Sequence, residues 1–366
     1  MTPTGAALRQ TTRTPLALSM RRTRTRPTAR IAALAVSDGP TAYTQEEVLE
    51  RLGLRGEESA EGVFARCGVR TRNLNLSDEF LDLSLQGRAD AVEEDLFTRA
   101  VGAVDTLGID PRSVGTILTS SLFSLGCPTI AHRLVDHYEL DPSTDKYHVT
   151  GVGCASAVPL MRLAAQTMAA EPARPVLIVA AESMSSILTR ATPEDPKAKT
   201  IGSAIFGDGC AAALLSGEVS GEGPKILDTQ VHQVASSGHA VTLAISQHDS
   251  YLHLARDLPE IGASELAEVA DGFLARHGLT RESIAHWMVH PGGRRIVEGA
   301  RDALGLSDED LATSWQALAE HGNVGTPSIF YVLDATCRER MPARGEHGLA
   351  VTIGPGVTVG LMLLRW

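Results

Sequence analysis

Apolar residues follow two rhythms along this chain: short, nearly unbroken runs and longer stretches spaced three to four apart. From about residue 30 onward the two alternate. Runs at 30–36, 116–120, 175–181, 210–215 and 284–289 are rich in Val, Ile, Leu and Ala and predict strands buried on both faces. Helical spacing predicts helices at 45–52, 94–107, 130–138, 157–170, 263–277 and 294–304, with another continuing from the apolar run 326–333 to residue 341. A segment at 226–234 and a closing hairpin of 347–353 with 357–364 complete the pattern. Strands alternating with helices predict a layered α/β architecture. The glycine- and acid-rich connection 217–223 is the expected boundary between two halves, 31–218 and 219–366.

The first residues behave differently. Between Met1 and Ser37 there are seven arginines and no acidic residue, among many threonines and several prolines. Residues 1–30 are therefore expected to form a disordered Arg-rich extension. The stretch lacks the amphipathic spacing of an organelle transit signal, and translated sequence upstream of a start at Met20 is the favoured reading.

Composition narrows the function. With 366 residues and 43% hydrophobic content the chain can build a large core. A net charge of −11 argues against nucleic acid as the main partner, because phosphate binding needs concentrated positive charge. Cys67, Cys127, Cys154, Cys210 and Cys337 show neither metal-ligand spacing nor a small secreted framework, so reduced thiols in the cytoplasm and no metal site are expected. The apolar runs are too short to span a bilayer, which predicts a soluble protein with no membrane partner.

Three turns carry the candidate chemistry. Cys154 follows Gly151-Val152-Gly153 where a β-branched run opens into a helical pattern, a setting that suits a reactive thiolate near a helix's first turn. A buried packing thiol is the competing reading. His290 begins His290-Pro291-Gly292-Gly293 at the end of an apolar run and before a helix. Asn323 lies in Gly322-Asn323-Val324-Gly325, again ahead of a helix. Each has its structural alternative, a satisfied core histidine and an ordinary helix cap. Together the three argue for nucleophilic chemistry at one pocket.

With Phe206-Gly207-Asp208-Gly209 and Gly354-Pro355-Gly356-Val357-Thr358, these turns occur in the order seen in type III polyketide synthases, the chalcone-synthase-like branch of the thiolase superfamily. The resemblance runs from about Ile31 to the C-terminus. Departures occur at Ala157-Val158, where the family commonly has a Gly-Gly pair, at Thr352-Ile353 in place of Gly-Phe, and at Gly325-Thr326-Pro327.

The resemblance implies a thiolase-like layered α-β-α-β-α fold built from two pseudo-repeats, with two central helices between sheets. It implies a homodimer that uses coenzyme A thioesters as substrates and needs no other cofactor. Cys154 would carry the acyl chain. His290 and Asn323 would stabilise the enolate left when malonyl coenzyme A loses carbon dioxide, and before loading His290 as an imidazolium would pair with the Cys154 thiolate. Phe206 would stand where the coenzyme A tunnel meets the cavity, Ser120 and Ser121 would line the starter pocket, and Arg66, Arg70 and Arg72 would meet the coenzyme A phosphates. Asp208 reads as a turn-holding residue. The expected function is repeated extension of an acyl starter by malonyl coenzyme A, with release as a pyrone or phenol. The alternatives are a single-round β-ketoacyl synthase III-like enzyme or acyltransferase, served by an acyl carrier protein, a cysteine hydrolase, and a noncatalytic partner subunit.

Overall fold

The computed structural model describes residues 29–39, 41–124, 126–192, 197–217, 223–245 and 250–366. Among them one mixed sheet holds β1 (Ala29–Ser37), β2 (Thr116–Ser120), β3 (Asp145–Val149), β4 (Val176–Glu182), β5 (Gly209–Ser216), β6 (Lys225–Gln233), β7 (His286–Val289), β8 (His347–Gly354) and β9 (Thr358–Arg365). Their spatial order is β7-β8-β9-β6-β1-β5-β4-β2-β3.

That order contains one motif twice. The first five strands lie as 3-2-4-5-1, with β2 parallel to β3 and β4, and β5 antiparallel to β4 and β1. The last four lie as 7-8-9-6, with β7 parallel to β8, and β9 antiparallel to β8 and β6. This repeats the first arrangement without its third strand. The two copies join at a short antiparallel contact, Ala29 with Ile226 and Arg30 with Lys225. The duplication that the resemblance implied is thus written in strand order and direction, whereas hydrophobic periodicity does not reveal it.

Helices α1 (Leu85–Thr106), α2 (Ile130–His137), α3 (Ala157–Ala170), α4 (Leu266–Ala275), α5 (Arg294–Leu304), α6 (Ala312–His321) and α7 (Ser328–Ala335) supply the main layers. The strands dictate the layering. Along β4, Val176, Ile178 and Ala180 join a central cluster with Leu160 and Met161 of α3 and Phe330 and Val332 of α7. The alternate residues Leu177, Val179 and Ala181 pack outward with Leu96 of α1 and Leu134 of α2. In β8, Ala350 faces the same central cluster, while Leu349 and Val351 pack outward with Phe273 of α4 and Val297 of α5. The strands are therefore apolar on both faces, as unbroken hydrophobic runs require. Both α3 and α7 are enclosed in the middle layer, and their composition is correspondingly apolar around much of the helix.

Several boundaries differ from expectation. α1 begins nine residues before the expected residue 94, because the Ser84 hydroxyl accepts from Gly87 N at 3.1 Å and caps a polar first turn that carries little apolar signal. The helix expected at 263–277 divides into Leu258–Ser264 and α4. Ala29 and Arg30, assigned to the N-terminal extension, are the opening residues of β1, where they pair with β6. The rest of that extension, 1–28, and the expected boundary at 218 and 219 lie outside the described residues. No described helix is long and apolar enough to cross a membrane.

Leu160, fully buried in the central layer, tests this packing. Leu160→Ala is expected to lower unfolding stability by about 2–5 kcal/mol in urea titration, whereas an outer-surface position would lose far less.

Candidate active site

The Cys154 turn is built by glycines. After β3, Gly151 and Gly153 adopt φ of 79° and 56°, a left-handed backbone that side chains resist, and residues Gly153–Ala155 form a single 3-10 turn before α3. The neighbouring turn leaves no space for substituents. A Cβ on Gly153 would sit 2.9 Å from the Pro355 ring, and one on Gly354 would sit 2.5 Å from Ala155 N. The late Gly354-Pro355-Gly356 turn is therefore pressed against the cysteine turn, which explains glycine on both sides of the contact.

Asn323 is fixed with similar economy between α6 and α7. Its N–H donates to Ile205 O at 2.7 Å and its carbonyl accepts from Gly207 N at 3.1 Å, locking it to the Phe206 turn. Its side-chain Oδ1 accepts from Gly325 N at 2.9 Å and lies 3.8 Å from Cys154 Sγ, while Nδ2 donates to Gly292 O at 3.3 Å. One carboxamide thus touches the cysteine and histidine turns together. His290 sits at the end of β7, where its N–H donates to Val351 O at 2.8 Å and its carbonyl accepts from Gly292 N at 2.8 Å. The ring is buried, and its Nδ1 has no hydrogen-bond partner among the described residues.

Cys154, His290, Asn323 and the buried Phe206 ring line one cavity of about 50 Å³. Leu122, Met184, Leu252, Leu254 and Ile353 form much of its apolar wall. Such surroundings disfavour charge. Burial pushes the Cys154 thiol up to about 12, with the Glu182 carboxylate acting in the same direction and the Asn323 hydrogen bond partly opposing both. Burial pushes His290 down to about 3. Both shifts run toward the neutral forms, the direction that loss of water imposes on a thiol and an imidazole alike.

Glu182, which sequence reasoning missed, is the fourth polar group of the cavity. It closes β4, fully buried, accepting from Leu122 N at 2.9 Å, Ser121 Oγ at 3.4 Å and Thr326 Oγ1 at 3.2 Å. Burial raises it to about 7 despite these hydrogen bonds. The available signal was a carboxylate ending an otherwise apolar strand, at the same edge of the sheet from which the cysteine turn departs.

The remaining candidates fall in different places. Ser120 and Ser121 are buried behind the wall, Ser121 being engaged with Glu182, and Leu122 lines the cavity in their place. Arg72 is wholly buried and donates to Phe206 O at 3.2 Å and Ser203 O at 2.6 Å, so it braces the Phe206 turn and cannot reach a phosphate outside. Arg66 and Arg70 are exposed, and Arg70 lies 3.5 Å from Glu320 in a solvated ion pair. Asp208 accepts from Ser185 N at 2.8 Å and Ser185 Oγ at 2.7 Å and pairs with Arg99 at 3.4 Å, in keeping with a turn-holding role. Among the described residues no cluster of three or more His, Cys, Asp or Glu could hold a metal ion.

Comparison with known proteins gives this geometry a family. Residues 48–268 match the family described as "FAE1/Type III polyketide synthase-like protein", and residues 227–366 match "Chalcone and stilbene synthases, C-terminal domain". The chain belongs to the type III polyketide synthases. It is accordingly an acyltransferase of the decarboxylating, condensing kind. This polyketide synthase is 27% identical over 352 residues to the 1,3,6,8-tetrahydroxynaphthalene synthase of Streptomyces peucetius subsp. caesius, covering 92% of this chain and 93% of that one. It is 29% identical over 256 residues to the alpha-pyrone synthesis polyketide synthase-like Pks18 of Mycobacterium tuberculosis, covering 68% and 64%. In structure it resembles PKS-I from the brown alga Ectocarpus siliculosus, with a TM-score of 0.82, 28% identity, and coverage of 92% of this chain and 98% of that one. The thiolase-like layering of the synthase agrees with that likeness.

The charge on Glu182 gives a direct test of the site's electrostatics. Removing a neighbouring anion lowers a thiol pKa and raises the thiolate fraction at fixed pH. Glu182→Gln is therefore expected to speed iodoacetamide alkylation of the Cys154 peptide at pH 8 by about three- to tenfold, read by mass spectrometry. Below pH 7, where the wild-type carboxyl is protonated, the two rates should converge.

Proposed function

We propose that this polyketide synthase takes an acyl group from a coenzyme A thioester onto Cys154 and lengthens it with malonyl coenzyme A over more than one round. Release as a cyclised pyrone or phenol completes the cycle. The observation that carries the reading is the Asn323 carboxamide, 3.8 Å from the Cys154 sulfur and hydrogen-bonded to the histidine turn beside one buried cavity.

The chemistry follows from neutral groups. As the sulfur attacks the starter thioester, neutral His290 accepts the thiol proton and then returns it to the departing coenzyme A sulfur. Malonyl coenzyme A next loses carbon dioxide, and the electron pair of the broken carbon–carbon bond becomes an enolate. His290 N–H and Asn323 Nδ2–H are the donors assigned to its oxygen, and burial favours the neutral form of the imidazole in which it donates without adding charge. The enolate carbon attacks the Cys154 thioester, sulfur leaves as thiolate and takes up one proton from solvent, and the chain, now on the coenzyme A of the malonyl unit, is two carbons longer. Phe206 is the apolar wall against which the malonyl carboxylate is less well solvated than neutral carbon dioxide.

Coenzyme A thioesters suffice as substrates in this scheme, with no further cofactor and no acyl carrier protein. Exposed Arg66 and Arg70 are the cations assigned to the coenzyme A phosphates. A homodimer and a cytoplasmic setting belong to the same reading, the latter supported by five free cysteines. The names of the Streptomyces and Mycobacterium relatives, a tetrahydroxynaphthalene and an alpha-pyrone, are those of cyclic polyketides and favour iterative extension over a single round.

Mutation separates loading from decarboxylation. Cys154→Ala is expected to abolish the covalent acyl adduct seen by intact mass. Asn323→Ala should still load starter but lose carbon dioxide release from labelled malonyl coenzyme A by about a hundred- to a thousandfold, and unchanged release would remove Asn323 from its assigned role.

A further inference from the structure

We infer that Arg72 is a positioning residue for decarboxylation: its guanidinium sets the Phe206–Gly207 peptide, and that peptide sets the Asn323 carboxamide. The inference rests on the decarboxylating role given to Asn323 above, and it concerns a side chain that touches no substrate.

A helix end is where the coupling begins. The helix Lys197–Ile205 stops at the Phe206 turn, with Phe206 N still donating to Gly202 O at 3.0 Å. The carbonyls of Ser203, Ala204, Ile205 and Phe206 therefore lack a partner within the helix. Each is taken by a group from a distant segment. Arg72 Nη2 donates to Ser203 O at 2.6 Å and its Nη1 to Phe206 O at 3.2 Å. Gln45 Nε2 donates to Ala204 O at 2.9 Å, and Asn323 N donates to Ile205 O at 2.7 Å. One helix end thus gathers the asparagine turn and two side chains from early in the chain.

The Phe206–Gly207 peptide carries that hold into the chemistry. Its carbonyl accepts from Arg72, and its N–H donates to Asn323 O at 3.1 Å. A peptide unit is planar and stiff, so tilting its carbonyl tilts its N–H as well. Release of Phe206 O would therefore reach the backbone that aims Asn323 at Cys154 Sγ, 3.8 Å away. The Cys154 turn is held separately, against Gly354 and Pro355. Loading is thus shielded from a disturbance that decarboxylation feels.

Arginine suits this bridge because its rigid fork presents donors in one plane to two carbonyls. Its guanidinium lies 5.7 Å from the Phe64 ring centroid, and glycine at 207 leaves room for the stem, since a Cβ there would lie 3.2 Å from Arg72 Cβ. Desolvating a cation costs free energy that an apolar side chain of similar volume would not incur. What the guanidinium adds is direction, fixing two carbonyls that an apolar filler would leave free to turn.

The test compares the full chain with Arg72→Met, Arg72→Lys and, as a control on the same helix end, Gln45→Leu, each checked for folding by circular dichroism. Loading is the rate of Cys154 acylation by intact mass with malonyl coenzyme A withheld, using whichever of acetyl, hexanoyl and benzoyl coenzyme A acylates the wild type fastest. Carbon dioxide release from labelled malonyl coenzyme A, with that starter saturating, gives kcat and KM. Arg72→Met is expected to lower kcat for release by about ten- to a hundredfold, while loading and KM stay within about threefold. Arg72→Lys, which keeps the charge without the planar fork, should show a smaller preferential loss. Gln45→Leu should leave the ratio of release to loading unchanged. Equal losses of loading and release would make Arg72 a support of the fold alone and overturn the inference, as would failure of both Arg72 variants to fold. So would a wild-type ratio in every Arg72 variant that folds, or a raised KM with kcat unchanged, which would return Arg72 to the coenzyme A phosphates. Absence of any adduct on the wild type, or undiminished release from Asn323→Ala, would bring down the proposed function itself, and neither of those results depends on Arg72.

Discussion

The backbone hydrogen bonds around Asn323 are the constraint on which the site depends. Ile205 O and Gly207 N hold both faces of its peptide, so the Phe206 turn from the first half and the asparagine turn from the second become one structural unit. The side chain then ties the histidine turn to that unit through Gly292 O. Side-chain packing alone would leave such a junction free to shift by the ångström or so that matters for reacting atoms. Hydrogen-bonded backbone, buried and with glycine where neighbouring turns touch, does not have that freedom. Arg72 strengthens the same junction from beneath by binding Phe206 O and Ser203 O.

Burial that makes the junction rigid also determines its electrostatics. An apolar cavity penalises isolated charge, so thiol, imidazole and carboxyl all shift toward their neutral forms. A shift toward neutral forms suits a reaction whose transient anion forms only when carbon dioxide departs and which needs preorganised donors at that moment. Glu182 adds a second effect, since its ionisation opposes that of the sulfur beside it.

Much of this was legible in the sequence because turns require unusual residues. Gly153, Gly322 and the Gly354-Pro355-Gly356 run mark places where left-handed backbone or close approach excludes a Cβ, and these places flank Cys154, Asn323 and the cavity. Strands were legible because burial on both faces removes polar alternation. What sequence could not supply was direction in space. Arg72 lies within the three-residue strand Thr71–Asn73 and is wholly buried, whereas Arg70, just before that strand, meets solvent. Ser121 and Leu122 are adjacent, yet only the second reaches the cavity. Glu182 escaped notice because its partners, Leu122 N and Thr326, come from segments about 60 and 144 residues away. The start of α1 was hidden by a polar first turn held by Ser84.

Strand order exposes a final relation. In the first copy of the motif the turn before the middle helix α3 bears Cys154, and in the second copy the turn before the middle helix α7 bears Asn323. Nucleophile and amide therefore occupy equivalent stations of one unit that has diverged in its two appearances. Their side chains meet across the internal twofold relation of the chain, so two copies of the architecture yield a single reaction chamber, with the sulfur drawn from one and its polar companion from the other.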